Sequence, residues 1–290
     1  MNILSLTTVH NRKEKTLKAL EGLSEQILPT YVNLDIALVD DGSSDGTWEA
    51  VEYWYPKVKK VKSEGNLYWA GGMRYGFRCF WNQGKYDYLL VFNDDIELQS
   101  DALHKLIETA SKIKSKNNEE NVVTGVFLDP ETNRVSYGGL IQLPGVVPLK
   151  FQKLPISNTI NYCDTLNMNF ALISSKTIES IGFLSPQFTH AKADYDYGLR
   201  LKKNGGVIAT SPGFAGYCSK NLDRGTSDDT DVTISTKWKR LSGIKEESFY
   251  CRYIFVRRHA GWLWPLVLVI PYINFVIETL SNKLFIKENK

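Results

Sequence analysis

The chain is short of the residues that build covalent staples and metal clusters. Its 290 residues include 4 cysteines and 4 histidines. Cys79, Cys163, Cys218 and Cys251 lie far apart and form no C-x-x-C pair, so neither a disulfide framework nor a zinc site is suggested. An excess of one charge is also missing. The formal net charge of +3 is too small to imply nucleic acid as a partner. No glycine falls between Thr7 and Arg12. That excludes the G-x-G-x-x-G turn of a nicotinamide dehydrogenase and the glycine-rich loop of a nucleotidyltransferase. The opening residues Asn2-Ile3-Leu4-Ser5-Leu6 have no basic stretch before them, and the apolar run is too short for a signal peptide. The expectation is a cytoplasmic protein with reduced thiols.

What is present is an ordinary globular balance, 43% hydrophobic and 23% charged, ample for a large core. Apolar runs and helical periods alternate. Met1 to Val9 reads as a strand, Arg12 to Gln26 as a helix, and Leu34 to Val39 as a second strand. A helix starts near Asp45-Gly46-Thr47, with Asp45 or Thr47 as N-cap, and Pro56 closes it. Lys57 to Lys62 suggests a short edge strand. Asn66 to Trp81 becomes helical, Tyr86 to Phe92 is an apolar strand, and Ser100 caps a helix to Ile113. This order predicts an α/β fold with a mostly parallel sheet and right-handed crossovers. Val122 to Val147 reads as short β segments, Leu166 to Ser174 as a strand, and Ser175 to Ile181 as a helix closed by Gly182. A further helix, Asp194 to Asn204, precedes Gly205-Gly206.

The most informative stretch is Leu38-Val39-Asp40-Asp41-Gly42-Ser43-Ser44-Asp45-Gly46-Thr47. It is a buried strand emptying into an acidic turn at the sheet edge where α/β folds bind ligands. Asp41, Ser43, Asp45, Gly46 and Glu52 also match the spacing of a calcium-binding helix–loop–helix loop. That reading fails on context, because the residues before Asp41 have a strand pattern. Two further segments accompany this one. Asn66-Leu67-Tyr68-Trp69-Ala70-Gly71-Gly72 sets paired glycines at a helix start, which lets a backbone approach a ligand closely. Asn93-Asp94-Asp95 ends a strongly apolar strand.

Together with Thr7-Thr8-Val9-His10-Asn11-Arg12 and His190-Ala191-Lys192-Ala193-Asp194-Tyr195-Asp196, these segments resemble the inverting family-2 glycosyltransferases. The wording around Gly71-Gly72 is similar to bacterial rhamnosyltransferase-like members. The resemblance covers about residues 3 to 258. It implies a GT-A-type, Rossmann-like domain over 1–220, with a nucleotide-sugar half to about 115 and an acceptor half from about 116. An active-site loop at Asn221 to Ser227 and a helical, membrane-associating extension then occupy 221–290.

The resemblance also implies roles. Thr7, Thr8, His10, Asn11, Arg12, Asp40, Asp41, Asn66, Gly71, Gly72, Asn93 and Asp94 would bind the donor. Asp95 would hold Mg²⁺ or Mn²⁺, which suit oxygen ligands. Asp194 would act as general base, with Trp69 and Asp196 on the acceptor side. The chain departs from the family pattern at Asn93, where an acid is usual, at Ala193, and in having no histidine at Asn221 to Ser227. For Asp196 a pairing with a nearby Arg or Lys is an equal alternative, and Arg200 reads as a structural salt-bridge partner.

The implied reaction moves a sugar from dTDP-rhamnose or a UDP-sugar to a glycan or polyprenyl-diphosphate-linked acceptor, in surface polysaccharide synthesis. The competing reading is a non-catalytic scaffold of the same fold that binds nucleotide sugar or lipid-linked glycan. The uncharged run Ala260 to Ile277, with Trp262 and Trp264 at its start and Pro265 and Pro271 within it, follows basic residues. An interfacial helix pair at the inner membrane face fits it better than a single span. A buried helix or a homo-oligomer contact fits it too.

Overall fold

The computed structural model describes residues 1–116, 119–146, 148–219 and 248–288. The chain divides into one compact unit of Met1–Ile141 and Gln152–Asn221 and a second of Gln142–Phe151 and Leu222–Lys290.

The first unit alternates strand and helix through its first hundred residues. In order come β1 (Asn2–Val9), α1 (Lys13–Ser24), β2 (Asn33–Asp40), α2 (Thr47–Trp54), β3 (Lys59–Lys62), α3 (Tyr68–Phe80), β4 (Tyr88–Phe92), β5 (Glu97–Leu98) and α4 (Ala102–Lys114). Short strands follow: β6 (Asn121–Thr124), β7 (Phe127–Leu128), β8 (Val135–Tyr137), β9 (Gly139–Gln142), β10 (Phe151–Lys153), β11 (Asn161–Tyr162) and β12 (Thr165–Leu166). The unit ends with β13 (Phe170–Ser174), α5 (Ser175–Ile181), α6 (Ala193–Lys203), β14 (Val207–Thr210) and β15 (Gly216–Tyr217).

The central sheet has the strand order β11-β14-β6-β13-β4-β1-β2-β3. Strands β3, β2, β1 and β4 are mutually parallel, and β13 runs antiparallel between β4 and β6. Every residue of β4 and β13 is buried, as expected for strands covered on both faces. Leu20 and Leu23 of α1 and Leu103, Leu106, Ile107 and Ala110 of α4 join them in one core cluster. The strand β2 leads into the turn at Asp41, so the calcium helix–loop–helix alternative does not hold.

One cap differs from the sequence expectation and another is met by one of the two residues expected. Residue Asp101, not Ser100, precedes α4, and its side chain caps nothing. The N–H of Leu103 is instead taken by Gln26 Oε1 at 2.8 Å, a cap supplied from the end of α1. Gly46, in a left-handed conformation with φ +82°, precedes α2. Asp45 still does the capping work, its Oδ1 accepting the Thr47 N–H at 3.0 Å.

In the second unit, α7 (Phe249–His259) and α8 (Trp264–Glu288) form a helix pair joined through Phe249–Tyr272 and Tyr253–Trp264 ring contacts. Pro271 has no N–H for the carbonyl of Val267, four residues back. Arg252 Nη2 fills that place, donating to Val267 O at 2.8 Å. No helix among the described residues is long and apolar enough to cross a membrane.

Candidate active site

The parallel register puts the ends of β1, β2 and β4 on one edge. Val9 pairs with Asp40, and Leu6 with Val91. The loops leaving these strands are knitted to each other. Asn11, at φ +50°, donates its N–H to Ser43 Oγ at 3.0 Å, and its Oδ1 accepts the Ser44 N–H at 2.8 Å. His10 Nδ1 lies 2.8 Å from the Asp41 carbonyl. The Lys13 N–H donates to Asp45 Oδ2 at 2.9 Å.

The two adjacent carboxylates of the second turn do different things. Asp41 is committed to the start of α3. It accepts from Ser63 Oγ at 2.6 Å and from the N–H groups of Leu67 and Tyr68 at 3.1 and 2.9 Å. Asp40 accepts the Ser43 N–H on Oδ1, while its buried Oδ2 has no hydrogen-bond partner among the described residues. The buried hydroxyls of Thr7 and Thr8 are likewise unpartnered. Unpartnered buried oxygens are uncommon in a folded protein, and these three stand near the ends of β1 and β2.

The paired glycines behave differently from the expectation of an open backbone. Gly71 and Gly72 are buried within α3. A Cβ on Gly72 would lie 2.3 Å from Thr8 Cγ2, so this glycine lets α3 pack onto β1. Gly76 does the same against Leu6 and Val39. Asn66 stands in the turn before α3, exposed and with φ +66°. Trp69 is half-buried and donates its indole N–H to Asn93 Oδ1 at 3.0 Å.

The acidic turn after β4 is held by a cation. One nitrogen, Arg12 Nη1, lies 3.0 Å from Asp94 Oδ1 and 3.0 Å from Asp95 Oδ2. Burial pushes the Asp94 carboxyl up to about 6, against the opposing pull of Arg12. Asp95 also faces a cavity of about 70 Å³ lined by Lys15, Lys18, Tyr217 and Cys218. Burial pushes the Cys218 thiol up to about 12, and its neighbour Asp95 adds to this, so it stays protonated 3.8 Å from Asp95 Oδ1.

The segment around Asp194 reaches the same edge. The Asn93 N–H donates to Asn169 O at 2.9 Å, and Asn167 Nδ2 donates to Asp194 Oδ2 at 3.4 Å. Asp194 opens α6, with its Oδ1 accepting its neighbour Tyr195 N–H at 2.8 Å. Burial raises its pKa above the ordinary carboxylate value; the Tyr195 N–H, Asn167 and Lys192 pull the other way. Asp196 is elsewhere. It is fully buried and pairs with Arg200 Nε at 2.9 Å, and Arg200 in turn donates to the carbonyls of Ile181 and Phe183. The pairing with a nearby Arg, the equal alternative for Asp196, is thus present, and its carboxylate faces protein rather than solvent.

Asn167, Asn169 and Cys218 escaped the sequence reading. The only signal was a pair of amides, Asn167 and Asn169, directly before the apolar strand β13. The loop Asn221 to Ser227 lies outside the described residues. Among the described residues no three His, Cys, Asp or Glu side chains gather as a metal site. The donor set still fits one Mg²⁺ or Mn²⁺ ion, since such ions bind through one or two carboxylates, waters and substrate phosphates.

Comparison with known proteins gives the frame. The family model described as Glycosyl transferase family 2 matches residues 6–165. Mannosyltransferase PcManGT from Pyrobaculum calidifontis, solved in complex with GDP-Man and Mn²⁺, superposes with a TM-score of 0.52 at 13% identity. The match covers 88% of this chain and 61% of that one. GalNAc-T7, solved with UDP, GalNAc and Mn²⁺, gives a TM-score of 0.60 at 12% identity, covering 89% of this chain and 50% of that one. This chain thus spans less than two thirds of either neighbour, and at such identity the likeness is one of fold, the GT-A fold. No curated protein sequence matches significantly.

Proposed function

The chain belongs to glycosyl transferase family 2, matched over residues 6–165, and from that premise we propose an inverting transfer from a nucleotide-diphosphate sugar to an acceptor hydroxyl. The donor class is dTDP-rhamnose or a UDP-sugar. The acceptor is a glycan or a polyprenyl-diphosphate-linked glycan of surface polysaccharide synthesis. The observation that carries this reading is the hydrogen-bonded line from Arg12 and Asp94–Asp95, through Asn93 and Asn169, to Asn167 and Asp194. It links an acidic turn held by Arg12 to a partly buried carboxylate of raised pKa.

In this reading Thr7, Thr8, Asp40 and the His10–Asn11 turn meet the nucleoside, with Asn66 at the rim. Carboxylate and hydroxyl oxygens suit ribose hydroxyls and a pyrimidine N–H. Arg12, Asn93 and Asp94 line the diphosphate side. Asp95 would hold Mg²⁺ or Mn²⁺, which neutralises charge on the departing diphosphate. Asp194 takes the proton from the acceptor hydroxyl as that oxygen bonds to the anomeric carbon and the bond to the diphosphate breaks. Its raised pKa makes it a better base than an exposed carboxylate. Trp69, half-buried and anchored on Asn93, would offer its ring to a sugar on the acceptor side.

The second unit supports a membrane surface as partner. Leu266, Val269, Ile273 and Ile277 of α8 are exposed and recur at helical spacing, Trp262 is exposed in the turn just before, and Val267 and Leu268 of the same helix are buried. Arg257 and Arg258 stand just before this stripe, suited to anionic headgroups.

Incubating the protein with a panel of nucleotide sugars, acceptor and Mn²⁺ tests the reaction. Product with the anomeric configuration opposite to the donor supports it. Nucleotide binding without turnover or donor hydrolysis would favour the scaffold reading.

A further inference from the structure

Arg12 stands in an unusual position for a residue expected on a ligand. A single guanidinium nitrogen bridges both carboxylates of the acidic turn, 3.0 Å from Asp94 Oδ1 and 3.0 Å from Asp95 Oδ2. The side chains of Asp94 and Asp95 are 7% and 15% exposed, whereas that of Arg12 is 46% exposed. The pair is thus sheltered and its counter-cation stands at the door. The other three N–H groups of Arg12 donate to nothing among the described residues. They form the planar edge that binds phosphate oxygens in a fork. Lys15 lies on the next turn of α1 and lines the cavity that Asp95 faces.

We infer that Arg12 is a resident counter-cation that keeps the Asp94–Asp95 pair from taking up a divalent ion alone, and that a nucleoside diphosphate releases the pair by drawing the guanidinium onto its phosphates. This rests on the proposed donor and metal roles and sets an order within them. A guanidinium and a dication repel each other across one carboxylate. The ion is therefore weakly held while Arg12 sits on Asp95. A free nucleoside diphosphate offers the guanidinium more acceptor oxygens, and at neutral pH more negative charge, than the two carboxylates that share one Arg12 nitrogen, so it competes for Arg12. Arg12 is exposed enough to turn without disturbing the core. Donor and ion then load together, each strengthening the other, as reciprocal coupling requires. The bland alternative is that Arg12 merely ties the turn after β1 to the turn after β4.

Mn²⁺ binding followed by the loss of the free-ion electron paramagnetic resonance signal separates the two, with circular dichroism melts as a folding control. Wild type should take up Mn²⁺ poorly alone and readily with UDP, dTDP or GDP. Arg12→Gln without nucleotide should bind Mn²⁺ at least about tenfold more tightly than wild type, within the usual range of site-to-site coupling. Arg12→Lys, which keeps a positive charge, should still exclude the ion. An Arg12→Gln affinity equal to or below wild type overturns the inference, as does an Arg12→Lys variant that binds as tightly as Arg12→Gln. If wild type takes up no nucleoside diphosphate with Mn²⁺ at all, the proposed function falls and takes this inference with it. If wild type binds both normally and only the Arg12 variants disobey, the proposed function stands and the gating role alone is lost.

Discussion

The N–H of Asn93 donates to the carbonyl of Asn169 at 2.9 Å, joining the acidic turn after β4 to the residues that precede β13. The pairing extends the antiparallel register in which Phe92 faces Phe170. Two residues before Asn169, Asn167 reaches Asp194. A backbone pair and one side-chain hydrogen bond of 3.4 Å therefore connect the acidic turn to the proposed base.

Gly72 tests whether the glycines of α3 serve packing or ligand approach. A Cβ there would meet Thr8 Cγ2 at 2.3 Å and Oγ1 at 2.6 Å. Gly72→Ala should therefore destabilise the fold by about 1–3 kcal/mol, the usual cost of overpacking. Adding Thr8→Ala should recover part of that loss, because it removes both colliding atoms. Gly71→Ala, whose nearest contact is 3.4 Å, should cost much less. Thermal melts of the four proteins decide it. Unchanged melting of Gly72→Ala together with lost nucleotide binding would return the glycine to the ligand.

The strands and helices of the first unit were legible because each reports on itself. A five-residue apolar run such as Tyr88–Phe92 has few other fates, and the acids at its end fall where sheet ligands bind. Partnerships were less legible. Nothing in the local pattern says that Thr8 fills the notch at Gly72, that Gln26 caps α4, or that Arg12 spans Asp94 and Asp95. Asp40 and Asp41 look equivalent in sequence. Only the approach of Leu67 and Tyr68 separates a carboxylate spent on structure from one with an unpartnered oxygen. Asp196 and Arg200, spaced i and i+4 on one helix, were a readable pair.

Asp95→Ala should leave a folded protein whose transfer rate falls by roughly a hundredfold or more, the scale of losing one key electrostatic stabiliser. Its side chain contacts little besides Arg12 and the Cys218 thiol, so the melting temperature should move only slightly. Nucleoside diphosphate should still raise the melting temperature without Mn²⁺, but the further rise on adding Mn²⁺ should vanish. Full activity of wild type in excess chelator would show that the acidic turn holds no ion.

The stripe Trp262, Leu266, Val269, Ile273 and Ile277 should dock on anionic bilayers. In vesicle flotation at low salt, the intact protein should rise with phosphatidylglycerol-containing vesicles and less with neutral ones. Replacing Trp262, Leu266 and Ile273 by Ser should weaken this partitioning about tenfold or more, since each buried apolar side chain contributes about 1.5–3 kcal/mol. Nucleotide binding should survive. An intact protein that ignores vesicles and instead elutes as a dimer, which the triple variant converts to monomer, would make the stripe an interface between copies.

Asp194→Asn keeps the shape of the side chain and removes the charge that accepts a proton. It should lower kcat by about two to four orders of magnitude, the usual worth of general-base catalysis. Donor affinity should barely change, because Asp194 contacts the acceptor side in this reading. Asp196→Asn should behave differently, weakening the tie to Arg200 and lowering stability more than kcat. The pH response follows from the direction of the Asp194 shift. Burial raises its folded pKa above the unfolded value. The base is then lost as pH falls through that raised pKa, so the acid limb of kcat should lie above the ordinary carboxylate range. The linkage to stability has the opposite sign. A raised carboxylate pKa contributes stability below the unfolded pKa, which disappears as pH rises through the folded pKa. Wherever Asp194 is ionised it therefore costs the fold something, and above its folded pKa Asp194→Asn should melt no lower than wild type. If Asp196→Asn is the inactive variant and Asp194→Asn works near normally, the base lies two residues further along α6.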